Sequence, residues 1–146
     1  SGGRNPLRVI LDSRLRSPKR SKVFTGTGRA WVATSARPNA HAPHAEFLSI
    51  PRRSSGLDLK ILLRELGRRG VSSLLVEGGS AVHTAFLESG LVDEVALFLA
   101  PALIGGAKAR GFFEGRGVKN LASALRLRDI SVETVGGDIL VRGRLR

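Results

Sequence analysis

Ser73-Leu74-Leu75-Val76-Glu77-Gly78-Gly79-Ser80 joins, in one short run, branched apolar residues, a carboxylate, two glycines and a helix-capping serine. The apolar run reads as a strand covered on both faces, as in α/β proteins. The glycines remove the side chains that would keep a ligand off the backbone. Ser80 is expected to cap a helix carrying Ala81, Val82, Ala85 and Phe86, whose free N–H groups and positive dipole end form an anion site. Glu77 sits at the carboxyl end of the strand, where open sheets place ligand-binding groups. Local features also allow a capping or ion-paired Glu77, and both readings stand at this point. Gly78-Gly79 is expected to adopt a backbone geometry closed to other residues.

Working outward, Asp58 precedes Leu59, Leu62, Leu63 and Leu66, which recur at the spacing of one buried helix face, and Gly67 and Gly70 supply stop signals. That helix feeds the Ser73 strand. Val95 to Pro101 is apolar on both faces and is expected to be a central strand, leading into Gly105-Gly106. The two glycine turns could form opposite lips of one pocket. Ile130 to Val135, Gly136-Gly137-Asp138 and Ile139 to Arg146 read as an antiparallel hairpin, with Ile139, Val141 and Leu145 inward and the arginines outward.

Toward the amino terminus, Leu7 to Asp12 reads as a strand whose polar end, Asp12-Ser13, could face the same crevice as Glu77 or could merely close an Asx turn. Val23-Phe24-Thr25 and Ala30 to Thr34 read as short strands joined through Gly26-Thr27-Gly28, and Phe47 to Ile50 as a brief strand inside a long basic connection. His41 and His44, in that connection, lack the further ligands a metal site needs, so no metal is expected. His83 reads locally as a surface or boundary histidine. Residues 107–120 form a glycine-rich excursion anchored by Phe112 and Phe113, and Leu121 to Leu125 a helical turn.

The 146 residues fit one domain, expected over 1–146. There is no cysteine, which excludes disulfides and thiolate metal sites, and no apolar run approaches the roughly 20 residues that cross a bilayer. No signal-peptide core opens the chain, so a cytoplasmic location is expected. The net charge of +12 is uneven: residues 1–56 hold eleven Lys/Arg against Asp12 and Glu46. That excess suits a phosphate-bearing small molecule as well as a polynucleotide. Aromatic interleaving is missing, which argues against nucleic acid.

Asn5-Pro6-Leu7-Arg8-Val9-Ile10-Leu11-Asp12-Ser13-Arg14-Leu15-Arg16, Leu74-Leu75-Val76-Glu77-Gly78-Gly79, Leu91-Val92-Asp93-Glu94 and Ala100-Pro101-Ala102-Leu103-Ile104-Gly105-Gly106 follow one another in an order and spacing that resembles the reductase domain of bacterial riboflavin-biosynthesis deaminase/reductases. The resemblance implies an α/β, dihydrofolate-reductase-like fold: a mixed, mainly parallel sheet flanked by helices, ending in an antiparallel hairpin. It implies NADPH as hydride donor and a small phosphorylated pyrimidine, 5-amino-6-(5-phosphoribosylamino)uracil, as substrate. By position, Glu77 would bind substrate, while Ser13, Gly79, Ser80, Ala81, Val82, His83, Thr84 and Ala85 would bind cofactor. Asp12, Gly78, Gly105 and Gly106 would line the pocket.

The residues themselves give no nucleic-acid or membrane partner and too few helices to cover the sheet, so self-association is expected; the resemblance also implies a homodimer, and a deaminase domain upstream. The front of such a domain is not seen before Asn5, so the chain is expected to be its carboxyl-terminal part and poorly active alone. The competing readings are a non-catalytic nucleotide-binding module and a basic nucleic-acid-binding domain.

Overall fold

The computed structural model describes residues 5–25, 27–37, 45–54, 56–106, 108–109 and 111–145. Gly26, His41 and His44 lie outside the described residues. The chain divides into two compact units, Ser1–Leu74 and Leu75–Arg146.

The first unit is built on a parallel sheet of β1 (Arg8–Leu11), β2 (Ala30–Thr34) and β3 (Ala45–Ser49), with β2 in the middle. Every residue of β2 is buried, which its Ala-Trp-Val-Ala-Thr composition permits on both faces. Phe24 and Val32 pack with Ile10, Leu15, Val23, Ala45 and Phe47. A two-stranded ribbon of β4 (Arg52–Arg53) and β5 (Gly56–Leu57) then leads into helix α2 (Leu59–Arg68).

Helix α2 follows its sequence pattern. The Asp58 carboxylate accepts from the Lys60 and Ile61 N–H groups, and Leu59, Leu62 and Leu66 are buried. Gly70 (φ +85°) closes it: its N–H donates to the Gly67 carbonyl, and that of Val71 to the Leu66 carbonyl, the bonding of a Schellman end.

Two expectations for this unit are corrected. Lys22–Thr25 is a helical turn, α1, and no strand forms at Val23-Phe24-Thr25. Successive turn bonds, Ser21 N–H to the Pro18 carbonyl and Phe24 N–H to the Ser21 carbonyl, curl the segment and deliver Phe24 to the core. Ser73 to Val76 is neither strand nor helix, and Leu75 is 77% exposed. The run spans the division between the units and makes no ladder in any of the three sheets among the described residues, so its apolar character alone did not secure pairing.

The second unit places helix α3 (Ser80–Glu88) before an antiparallel sheet of β6 (Glu94–Leu99), β8 (Asp138–Arg144) and β7 (Arg128–Val135), in that spatial order. Gly90 (φ +62°) ends α3 as Gly70 ends α2, with Leu91 N–H donating to the Phe86 carbonyl. The hairpin is present, turning at Gly136-Gly137. Of the expected inward residues, Val141 and Leu145 are half-buried and Ile139 is exposed; Gly143, on the same face, is buried under Leu127, where a Cβ would lie 2.7 Å from the Leu127 Cβ, and Leu140, on the opposite face, is buried as well. The expectation of a central Val95 strand is likewise corrected. Among the described residues β6 pairs only with β8 and so lies at the edge of this sheet, with Phe98 52% exposed. The expected turn near Leu121 is a 3₁₀ helix, Leu121–Ser123, capped by the Asn120 carboxamide.

Candidate functional site

In the first unit the carboxyl ends of the parallel strands carry Asp12-Ser13 and Thr34-Ser35. Asp12 is buried, and its two carboxylate oxygens accept from the Arg16 N–H (3.0 Å) and the Ser17 N–H (2.7 Å). Burial alone would raise its pKa, but those backbone donors outweigh it and the group ionises below the usual 3.8. Asp12 therefore builds the turn that follows β1, a turn tight enough to hold Leu15 at φ +52°. The Ser13 carbonyl accepts from the Ser35 hydroxyl at 2.9 Å, tying the end of β1 to the end of β2. Thr34, buried, receives the Ala36 N–H on its hydroxyl (3.1 Å) and so shapes the turn after β2.

The second unit holds Glu77, Gly78, Gly79 and α3. Glu77 is exposed and makes no hydrogen bond or ion pair with another described residue. The glycine geometry corrects the expectation of a special backbone: no cis peptide occurs among the described residues, neither glycine has positive φ, and Gly79 sits at φ −84°, ψ 166°. Gly79, not Ser80, is the N-cap, because the helix begins at Ser80 itself. No side chain caps this end. The Gly79 carbonyl accepts from the Val82 and His83 N–H groups (3.0 and 3.3 Å), and the N–H groups of Ser80 and Ala81 have no acceptor inside the helix.

A Cβ built on Gly79 would meet no atom within 4 Å, whereas one on Gly78 would touch Val82 at 3.6 Å. The open volume lies over the uncapped helix end.

Further along α3, two of the residues expected to hold cofactor are engaged by the following excursion. The Thr84 hydroxyl accepts from the Glu114 N–H at 2.7 Å, and the His83 ring meets Phe113 edge-on at 6.4 Å between centroids. Gly115 fits against Thr84 and Glu88 with no room for a Cβ. Gly105 and Gly106 have positive φ (65° and 95°) in an exposed turn. Asp12 and Ser13 thus belong to the first unit, and Glu77 to Ala85, Gly105 and Gly106 to the second.

Thr34 and Ser35 were not singled out from the sequence. Their signal was the short apolar β2 run ending in Thr-Ser, which gains meaning only once β2 proves to be the middle parallel strand beside Ser13. No cluster of three or more His, Asp and Glu suited to a metal occurs among the described residues, and no helix among them is long and apolar enough to cross a membrane.

The sequence matches the RibD C-terminal domain family over residues 1–141. It is 36% identical over 146 residues to the 2,5-diamino-6-ribosylamino-4(3H)-pyrimidinone 5′-phosphate reductase of Methanothermobacter thermautotrophicus, covering 95% of this chain and 66% of that protein. Among solved structures, RibD of Acinetobacter baumannii superposes with a TM-score of 0.80 at 30% identity, covering 94% of this chain and 36% of that one. The Thermotoga maritima diaminohydroxyphosphoribosylaminopyrimidine deaminase/5-amino-6-(5-phosphoribosylamino)uracil reductase does so at 0.78 and 29%, over 98% of this chain and 38% of its own length. The fold is accordingly α/β and dihydrofolate-reductase-like, and this chain belongs to the RibD C-terminal domain family.

Proposed function

We propose that the chain is the hydride-transferring domain of a riboflavin-biosynthesis reductase, using NADPH to open the ribose of 5-amino-6-(5-phosphoribosylamino)uracil to a ribityl chain. The observation that carries this is the match across residues 1–141, in which the Val-Glu-Gly-Gly turn opens an uncapped helix. The residues present fit a dinucleotide: the clear volume at Gly79 admits a ligand against the backbone, and the free Ser80 and Ala81 N–H groups suit its phosphates. In the second unit, Gly79 to Ala85 would hold NADPH. When bound, it supplies the hydride that reduces C1 of the imine tautomer of the ribosylamine.

The protein's part is position and charge. Glu77, with its carboxylate free in solvent, orients the substrate, and the α3 amides neutralise cofactor charge. A homodimer, a cytoplasmic location and a deaminase domain upstream belong to the same proposal. The relative from Methanothermobacter is named for a diaminopyrimidinone, so both the aminated and the deaminated pyrimidines belong in the assay.

The test is a sensitive single-turnover reaction with NADPH carrying deuterium at both C4 positions, read by mass spectrometry. Deuterium at C1 of the ribityl product is the expected result. Its absence with both pyrimidines, above a no-protein control, would overturn the reading.

A further inference from the structure

Residues 111–120 of the second unit form neither strand nor helix, yet three consecutive positions among them are fastened to α3. The Phe113 ring meets His83 edge-on at 6.4 Å, and the Glu114 N–H donates to the Thr84 hydroxyl at 2.7 Å. Gly115 lies where a Cβ would stand 2.7 Å from both the Thr84 Cγ2 and a Glu88 carboxylate oxygen. It also holds φ +119°, a conformation that glycine alone adopts without strain. A ring, an amide and a missing side chain thus supply three successive contacts. Thr84 and Glu88 lie one turn apart on one face of α3, and Ser80 lies one turn earlier on that face.

These contacts run beside the uncapped end of α3 without covering it. A Cβ on Gly79 meets no atom within 4 Å, and the Ser80 and Ala81 N–H groups keep no acceptor inside the helix. A cover would fill that volume; a buttress along the flank of the helix leaves it open. The bond to Thr84 also has a direction. Glu114 occupies a lone pair of the hydroxyl, while the hydroxyl hydrogen finds no acceptor among the described residues and remains able to donate. A hydroxyl that already accepts one bond is polarised to donate a stronger one. Holding Thr84 and His83 before a ligand arrives also removes side-chain freedom that binding would otherwise have to remove.

We propose that Phe113, Glu114 and Gly115 form a strap that sets the second turn of α3, and that Phe113 and Gly115 are positioning residues for the dinucleotide, so that the docked strap and the bound cofactor favour each other. The identity of the ligand rests on the reductase reading. Coupling between two events is reciprocal: a strap that tightens cofactor binding by a given factor is itself held down by cofactor to the same extent. That fixes the sign of an observable at the Glu114 amide, whose exchange with solvent hydrogen requires its bond to Thr84 to open.

Amide hydrogen exchange of the whole chain is followed by NMR with and without saturating NADPH. Exchange at Glu114 should slow by about fivefold or more, while exchange at Ser123, whose amide bonds the Asn120 carboxamide in the turn that follows, should not change. Gly115→Ala should raise the NADPH dissociation constant by the same factor, and Phe113→Ala should raise it too, with deuteride transfer at saturating NADPH as fast as in the unmodified chain. Val118→Ala, at an exposed position further along the segment, should alter neither. Circular dichroism checks that each variant folds, and the exchange experiment needs no variant. Faster exchange at Glu114 with NADPH would make the segment an inhibitory cover and overturn the proposal. Unchanged exchange, slowing shared equally with Ser123, or an unaltered dissociation constant in folded Gly115→Ala overturns it as well. If Glu114 exchange slows but no deuteride reaches either pyrimidine, the strap stands and the reductase reading falls. If deuteride is transferred while Glu114 exchange is unmoved, the reading stands and the strap falls.

Discussion

At the scale of single residues, Glu77 and Asp12 are two carboxylates near strand-like segments whose surroundings assign them opposite duties. Asp12 is buried and spends both oxygens on backbone amides; Asp12→Ala would strand those donors, and a loss of about 1–3 kcal/mol in denaturant-derived stability is expected. Glu77 has no such obligation. Glu77→Gln should leave NADPH affinity and melting temperature unchanged and slow turnover by about a hundredfold, the scale of a misplaced substrate. Equal losses in binding and turnover would show that it serves the cofactor instead. Gly79→Val separates ligand volume from folding in the same way. The position has φ −84°, allowed to any residue, and open space around its Cβ. The fold should lose about 1 kcal/mol or less while NADPH binding, followed by fluorescence, weakens at least about tenfold.

At the scale of elements, helix α2 concentrates what the first unit gains from local chemistry. Asp58 satisfies two amides of its first turn and pairs with Arg53, so Asp58→Ala should cost about 0.5–2 kcal/mol in thermal unfolding, and Leu62→Ala, at a fully buried position, about 2–5 kcal/mol. Carboxylates of this unit also set its acid limit. Arg68 and Arg69 hold Glu65 down to about 2 from an ordinary 4.5, and Asp58 is lowered chiefly by Arg53. Each is ionised at lower pH folded than unfolded, so its stabilisation is complete above its unfolded pKa and disappears as pH falls through the folded one. Melting temperatures should be flat above about pH 5 and fall between pH 4.5 and 2, and Glu65→Gln should shrink that fall. Helix α2, its cap and its glycine end were legible because each rests on contacts a few residues apart. Val23 to Thr25 and the Ser73 run were not: an apolar run says that burial is favourable, and only a partner strand decides whether it becomes a ladder. The same limit hid Thr34 and Ser35, whose link to Ser13 crosses between strands.

At the scale of the whole molecule, the sheet of the second unit leaves one face apolar in a way that its register makes explicit. Leu97 lies opposite Val141 and Val141 opposite Val132, while Leu99 lies opposite Ile139 and Ile139 opposite Thr134, so two transverse rows share a face. Val132 is 65% exposed, and Leu99 and Ile139 remain nearly half exposed. A contiguous apolar patch of this kind marks an interaction surface, and a two-fold pairing of like faces is the commonest way to cover one. Self-association is therefore the outcome expected from the register, independently of the chemistry at Glu77. The chain, 15.6 kDa as a single copy, should scatter light as a dimer at micromolar concentration. Val132→Lys places a charge in the middle of the transverse row, and it should raise the dimer dissociation constant by about tenfold or more. The same substitution on the opposite face, at the exposed Ser131 (Ser131→Lys), should not. A monomer mass for the unmodified chain, or equal dissociation by both variants, would show that this face is not where two copies meet.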